Sequence, residues 1–452
     1  MNIATSLLDL LQSGLGGLAA YLAAHVLLCL LPAFFIAGAL AALLPKEAIT
    51  RYLGRNASKW ISYPASALGG FFLAVCSCTI LPLFASIYKK GAGLGPAITF
   101  LFVGPAVNIL AISLTGVQIG MDIAAARIIL SMIFGVVIGL LMAWFFKKDD
   151  QAHAEAAANS QLFDAEATVP TKTIVFFLLL LGTLLAGTLQ IGLFRNTLYQ
   201  FSIPGSWAAD LQSRLNALVP PDPSLGIEGV TVHGLILIGL LVLIAISAIK
   251  GFKDIFEGLN PWTYVTLGLI TLTLVIAAFS VAVTTTGLAI GINGRLLAIN
   301  ALLAGIWWMA VRFFSEVERQ EWLWETWRFV KQIIPLLLVG VFAASIARTL
   351  IPAAWIQTLA GRNTVLANFA GVVFGVFMYF PTLVEVPVAQ TFLSLGMHRG
   401  PLLAYLLADP ELSLQSILIT NTVIGKKKTA VYVVLVAIFS TLSGLIFGWF
   451  IG

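Results

Sequence analysis

Cys76, Ser77, Cys78 and Thr79, followed by Pro82, interrupt one apolar stretch, and Gly104 and Pro105, followed by Asn108, interrupt the next. Proline removes a backbone donor and clashes with the preceding turn, so carbonyls beside each break lose their helical partners. In hydrocarbon such groups must be satisfied by protein, by a water-filled cavity or by a bound solute. Broken helices near the midplane are where transporters place substrate sites. Cys76 and Cys78 stand two apart. On an intact helix they point to different sides, whereas extended backbone turns both to one side. Two convergent thiols then suit a soft, thiophilic solute such as copper(I) or trivalent arsenic. Close packing is the competing reading, because free cysteine is a common small core residue. It is the preferred one for Cys29, in the first apolar stretch.

A second interruption reads Pro381-Thr382-Leu383-Val384-Glu385-Val386-Pro387. It holds no thiol, but it places a carboxylate inside an apolar segment, which is a functional candidate by default. Desolvation favours the neutral carboxyl, so Glu385 is a candidate for taking up and releasing protons; a fixed hydrogen bond to unwound backbone is the alternative. Asp409, Pro410, Glu411 and Ser413 occupy the place of Gly104, Pro105, Ala106 and Asn108. Either they line the same cavity or the two acids cap a short helix. The candidate substrate-contacting set is therefore Cys76, Ser77, Cys78, Thr79, Pro82, Gly104, Pro105, Asn108, Thr382, Glu385, Pro387, Asp409 and Ser413. Proton coupling falls to Glu385 and Asp409, and ligation of a metal ion to Cys76 and Cys78.

These residues must be held by membrane helices. The 452 residues are 60% hydrophobic and 10% charged, against about 25% charged in soluble domains. Uncharged runs cover 64–88, 91–121, 173–194, 261–294 and 429–452, each longer than the roughly 20 residues a spanning helix needs. Strands of a membrane barrel alternate instead. The expected fold is an all-α polytopic membrane protein with about 10–12 transmembrane helices. Residues 1–9 carry no Lys or Arg and the apolar run continues to Leu44, so the N-terminus reads as a retained first helix rather than a cleaved signal. The net charge of +5 suits lipid headgroups rather than nucleic acid. No Walker loop, GxSxG or His-Glu-x-x-His is present, and the four His lack metal-ligand spacing. Neither a cofactor nor an enzymatic activity is expected.

Residues 365–420 align with 60–115 at an offset of 305, pairing Gly70 with Gly375, Pro82 with Pro387, Gly91 with Gly396, Pro96 with Pro401 and Pro105 with Pro410. Matched Gly and Pro breaks in two halves point to a transporter site. The expected division is a first transmembrane repeat at 1–146, a polar linker at 147–171, middle spans at 172–314 with a surface loop at 195–230, and a second repeat at 315–452. Residues 315–331 read as an interfacial helix anchored by Trp322, Trp324 and Trp327. Spans at 61–88 and 92–116, with two spans in 261–314, give twelve crossings and parallel halves; one span in 261–314 makes the halves inverted. Either way 12 Lys and Arg fall on one side and 13 on the other, so the positive-inside rule does not orient the chain.

The run CSCTILPLFASIYKKGAGLGPAITFLFVGPAVN, with its degenerate copy PTLVEVPVAQ and GPLLAYLLADPELSL, resembles the hallmark of the bacterial predicted-permease family that includes the organoarsenical efflux permeases. The likeness covers roughly 20–146 and 330–450. It implies a multi-pass permease of the bacterial inner membrane, exporting a small molecule or ion, with Cys76, Ser77, Cys78, Pro82, Gly104, Pro105, Asn108, Glu385 and Pro387 as the motif residues. A trivalent organoarsenical is one member's type of substrate. A membrane thiol oxidoreductase using Cys76 and Cys78, or a non-transporting assembly subunit, are the alternatives.

Overall fold

The structure is a computed structural model. It describes residues 3–24, 28, 30–44, 46–55, 57–73, 77–107, 109–159, 169–188, 192–205, 207–221, 229–253, 255–284, 287–350, 353–377 and 382–451. Cys29, Cys76 and Asn108 lie outside the described residues, as does Pro381; nothing is described of the side chains of Ser77, Cys78, Thr382 and Pro387.

The first part of the chain runs through α1 (Ile3–Ala24), α2 (Leu31–Leu43), α3 (Lys46–Leu53), α4 (Lys59–Leu73), α5 (Ser77–Lys89), α6 (Leu94–Ala106), α7 (Ile109–Gln118), α8 (Met121–Phe145) and α9 (Lys147–Asn159). The middle holds α10 (Thr171–Thr188), α11 (Gly192–Arg195), β1 (Thr197–Pro204), α12 (Trp207–Leu218), α13 (Val232–Gly251), α14 (Pro261–Ala278), β2 (Ser280–Thr284), β3 (Gly287–Asn293) and α15 (Gly294–Phe313). Then follow α16 (Glu316–Leu350), α17 (Ala353–Ala360), α18 (Val365–Phe377), α19 (Thr382–Ser394), α20 (Arg399–Leu412), α21 (Leu414–Ile424) and α22 (Lys426–Ile451). Among the described residues, α8, α10, α13, α14, α15, α16 and α22 are long and apolar enough to cross a membrane, and α20–α21, bent by 46° at its break, is so only when the two helices are taken together. The fold is all-α and polytopic. Polar caps start several spans: Thr231, Asn260 and Asn293 accept from the amides of Gly234, Thr263 and Leu296, which satisfies donors that a helix N-terminus leaves free.

Hydrogen bonds and ion pairs fix which segments share an end of the bundle. At one end Gly93 N donates to Leu53 O at 2.8 Å, Leu94 N to Asp150 Oδ1 at 2.8 Å, and Lys90 Nζ to Leu44 O at 2.8 Å. The start of α4 and the end of α5 therefore lie together. The segment read from sequence as a span over 61–88 instead enters and leaves by the same end, as a re-entrant helical hairpin. Its apolar length equals that of a span, so hydropathy does not separate the two. In the second half His398 N donates to Ala360 O at 2.9 Å, the same contact carried over, and α18–α19 is the matching hairpin.

Helix boundaries repeat with the offset of 305: α5, α6, α7 and α8 start at Ser77, Leu94, Ile109 and Met121, and α19, α20, α21 and α22 at Thr382, Arg399, Leu414 and Lys426. The turns that link α5 to α6 and α19 to α20 use Gly91 (φ 96°) and Gly396 (φ 93°), a left-handed conformation that favours glycine. The two units are inverted. Leu94 sits beside Asp150, whereas its mate Arg399 sits at the far end, ion-paired with Asp122 at 2.6 Å. Lys428, at the start of α22, meets Asp149, just past α8, at 3.6 Å. Repeat-mates Phe134 and Phe439 face each other with centroids 5.0 Å apart, which places a pseudo-two-fold axis between α8 and α22. Helix α5 packs on α21, and α19 on α7.

With this topology the basic residues segregate. Arg195, Arg214, Arg295, Arg348, Arg362 and Arg399 lie at the end that carries the β1–β3–β2 antiparallel sheet, and Arg127 lies inside. The other 18 of the 25 Lys and Arg lie at the opposite, basic end. The even split derived from sequence came from counting a hairpin as a span.

Three further expectations change. The start of the 147–171 segment is helical and docked: Asp150 caps α6, and the His153 ring stacks on Tyr88 with centroids 4.2 Å apart. Residues 315–331 are the first half of the continuous helix α16, and Trp322 is buried, donating Nε1–H to Phe35 O at 2.9 Å. The 195–230 loop contributes the exposed strand β1 and helix α12, and α12 closes a small apolar cluster of Ala208, Leu215, Val230, Val232 and Leu288.

Candidate functional site

Helix α8, the end of α6 and the hairpin helix α19 meet at one buried ion pair. Arg127, on α8, and Glu385, on α19, are 0% and 1% exposed, and Arg127 Nη2 meets Glu385 Oε2 at 3.1 Å. Arg127 Nε donates to Ala106 O at 3.1 Å. Ala106 is the last residue of α6, so the guanidinium satisfies a carbonyl at the helix end. A third group, Glu411 on α20, is buried and accepts from the Tyr432 hydroxyl on α22 at 2.9 Å through Oε2. Arg127 and Glu385 are both electrostatic neighbours of Glu411. Arg127 Nη1, Glu385 Oε1 and Glu411 Oε1 are buried without a hydrogen-bond partner among the described residues.

Removing one partner of such a pair leaves an uncompensated buried charge, which costs about 3–5 kcal/mol. Ionisable groups with unpaired atoms at this depth mark the cluster as a candidate functional site.

The cluster is built from positions that match across the repeats. Subtracting 305 turns Glu385, Glu411 and Tyr432 into Ile80, Ala106 and Arg127. One copy supplies the cation and the other both carboxylates. Ile80 fills its own place by packing on Gly104, where an added Cβ would stand 2.6 Å from Ile80 Cδ1.

Of the residues singled out from sequence, Thr79, Pro82, Gly104, Pro105, Glu385, Asp409 and Ser413 are buried. Pro82 and Pro387 lie inside α5 and α19, and Pro105 and Pro410 inside α6 and α20. Ser77 to Thr79 form the first turn of α5, so the extended backbone expected there is helical instead; Pro82 still deprives the Cys78 carbonyl of its donor. Asp409 and Glu411 do not cap a helix start. Both lie in the last turn of α20, where the macrodipole disfavours negative charge, and Ser413 caps α21, accepting from Ser416 N. Among the described residues no three His, Cys, Asp or Glu gather to hold a metal ion.

Arg127 and Tyr432 were missed by sequence reasoning. Arg127 is the one charge between Asp122 and Lys147, and an ionisable group inside a span was signal enough to mark it. Tyr432 carried no such signal.

Among the described residues, seven helices long and apolar enough to cross a membrane, with a buried ion pair among them, define a polytopic membrane protein. The chain belongs to the predicted-permease family (ArsP_1), whose model matches residues 14–449. It is 34% identical over 448 residues to UPF0718 protein MJ0584 of Methanocaldococcus jannaschii, an alignment covering 99% of this chain and 98% of that protein. No solved structure matches it. The protein is a multi-pass membrane permease.

Proposed function

We propose that this permease is a secondary transporter that exports a small thiophilic solute, of the trivalent organoarsenical or soft-metal class, through the junction between its repeats. The observation that carries the reading is the buried Arg127–Glu385 pair joining α8 of one repeat to the hairpin helix of the other, with unpaired polar atoms around it. Rocking of one repeat against the other would expose that junction alternately to the two sides. Cys76 and Cys78, at the entrance to α5, are the proposed contacts for the solute, with Asn108, Thr382, Asp409 and Ser413 as polar lining. Glu411 joins Glu385 and Asp409 as a proton-exchanging group, because one guanidinium faces two carboxylates. The concentration of Lys and Arg at one end supports placing that end in the cytoplasm of a bacterial inner membrane.

Everted vesicles test the reading. Trivalent methylarsenite should accumulate in vesicles bearing the protein when a proton gradient is imposed, and the Cys76→Ser/Cys78→Ser protein should insert normally yet accumulate none. Equal accumulation by both proteins would remove the thiols from the mechanism.

A further inference from the structure

A cavity of about 280 Å³ lies between α2, α10, α14, α15 and α16, away from the repeat junction. Its walls are apolar, with Phe35, Leu180, Ile270, Leu274, Ile306 and Trp322 among them. The threonine hydroxyls in the wall are turned to their own helices: Thr183 Oγ1 donates to Leu179 O at 2.9 Å and Thr271 Oγ1 to Leu267 O at 2.8 Å. The one charged side chain of the lining is Arg319, in the first turns of α16 at the basic end. Its Nε is buried with no hydrogen-bond partner, and among the described residues no carboxylate pairs with it. Its neighbours are committed elsewhere, Glu318 to Lys172 at 2.7 Å and Glu325 to Arg328 at 2.7 Å.

We propose that this cavity holds one acyl chain of an anionic glycerophospholipid from the leaflet at the basic end, with the phosphate on Arg319. The chemistry selects the occupant. Along its length the site offers mostly hydrocarbon contact, and at the basic end it offers a single cation with an unmet donor, a match to an amphiphile with an anionic head. The volume is at the small end of the roughly 300–1,000 Å³ of small-molecule sites, which suits a single chain and leaves the headgroup outside. Arg319 lies on the helix that packs along α2 and α21, so an occupied cavity ties the middle spans to both repeats.

Native mass spectrometry and thermal unfolding of the full-length protein in neutral detergent test the site, with phosphatidylglycerol and phosphatidylcholine of identical chains as probes. Wild-type protein should retain phosphatidylglycerol about fivefold better, the factor one basic residue contributes at an anionic surface, and should unfold at higher temperature with it. Arg319→Gln should abolish that preference and Arg319→Lys should keep most of it. Ala310→Phe, which fills the cavity, should lower retention of both lipids. Equal retention of the two lipids by wild type, or an unchanged preference in Arg319→Gln, overturns the proposal. Displacement of phosphatidylglycerol by equimolar oleic acid overturns the assignment to a phospholipid.

Discussion

Arg127 and Tyr432 stand at the same place in the two repeats, 305 residues apart, and each donates a hydrogen bond to the end of its neighbouring broken helix. Arg127 Nε reaches Ala106 O, and the Tyr432 hydroxyl reaches the Glu411 carboxylate, where 106 and 411 are again mates. The architecture is duplicated while the chemistry has diverged: one site became a cation, the other a neutral donor. This asymmetry gives an inverted-repeat protein a single charged centre in place of two.

Arg127→Leu leaves Glu385 charged and alone in the interior, so the protein should lose about 3–5 kcal/mol of stability. Arg127→Leu combined with Glu385→Leu should recover most of that loss, because neither member of the pair is then left without the other. Unfolding temperatures in detergent of the two single variants and the double variant decide it, and additive losses would contradict the pairing.

Within the second repeat the helices touch through glycine. A Cβ on Gly444 would stand 2.2 Å from Asn368 Oδ1 and 2.5 Å from Gly400 O, whereas one on Gly239 meets nothing within 4 Å. Gly444→Ala should therefore destabilise by about 1–3 kcal/mol through overpacking, and Gly239→Ala should be within about 0.5 kcal/mol of wild type. Matched thermal melts compare them.

Asp150 accepts from Leu94 N at the start of α6, and Arg55 reaches both Asp150, at 3.8 Å, and the carbonyl of Lys147. Asp150→Ala should cost about 0.5–2 kcal/mol, the range for a lost helix cap. Hydrogen exchange should rise first at the amides of Leu94 and the residues after it; a uniform rise across α8 would assign Asp150 a different role.

Helix α22 starts at the basic end with Lys428 beside Asp149 and runs to the sheet end. If the basic end faces the cytoplasm, alkaline phosphatase fused after residue 452 should be active and the same enzyme fused after Lys148 inactive. The reverse pattern would turn the molecule over in the membrane.

Much of this was legible in the residues. Pro82, Pro105, Pro387 and Pro410 announced the broken helices, and their common offset announced the repeat. Inversion was not legible, because the residues from Lys59 to Lys89 are as long and apolar as a span and only long-range contacts such as the Gly93–Leu53 and Lys90–Leu44 hydrogen bonds show that the two ends lie together. The same ambiguity hid the charge asymmetry: once the hairpin is folded back, an even split of Lys and Arg becomes 18 against six. Glu385 was marked by its depth. Its partner lay 258 residues away on a helix read only for its apolar length, and no local pattern links the two.

The most direct measurement is disulfide crosslinking in a background where Cys29, Cys76 and Cys78 are Ser. Cysteines at 122 and 399, and separately at 149 and 428, should crosslink readily under mild oxidation, because the starts of α8 and α20 meet at one end and α8 and α22 meet at the other. Crosslinking of 122 with 428 and of 149 with 399 in their place would mean parallel repeats, and the Arg127–Glu385 junction between inverted halves would not exist.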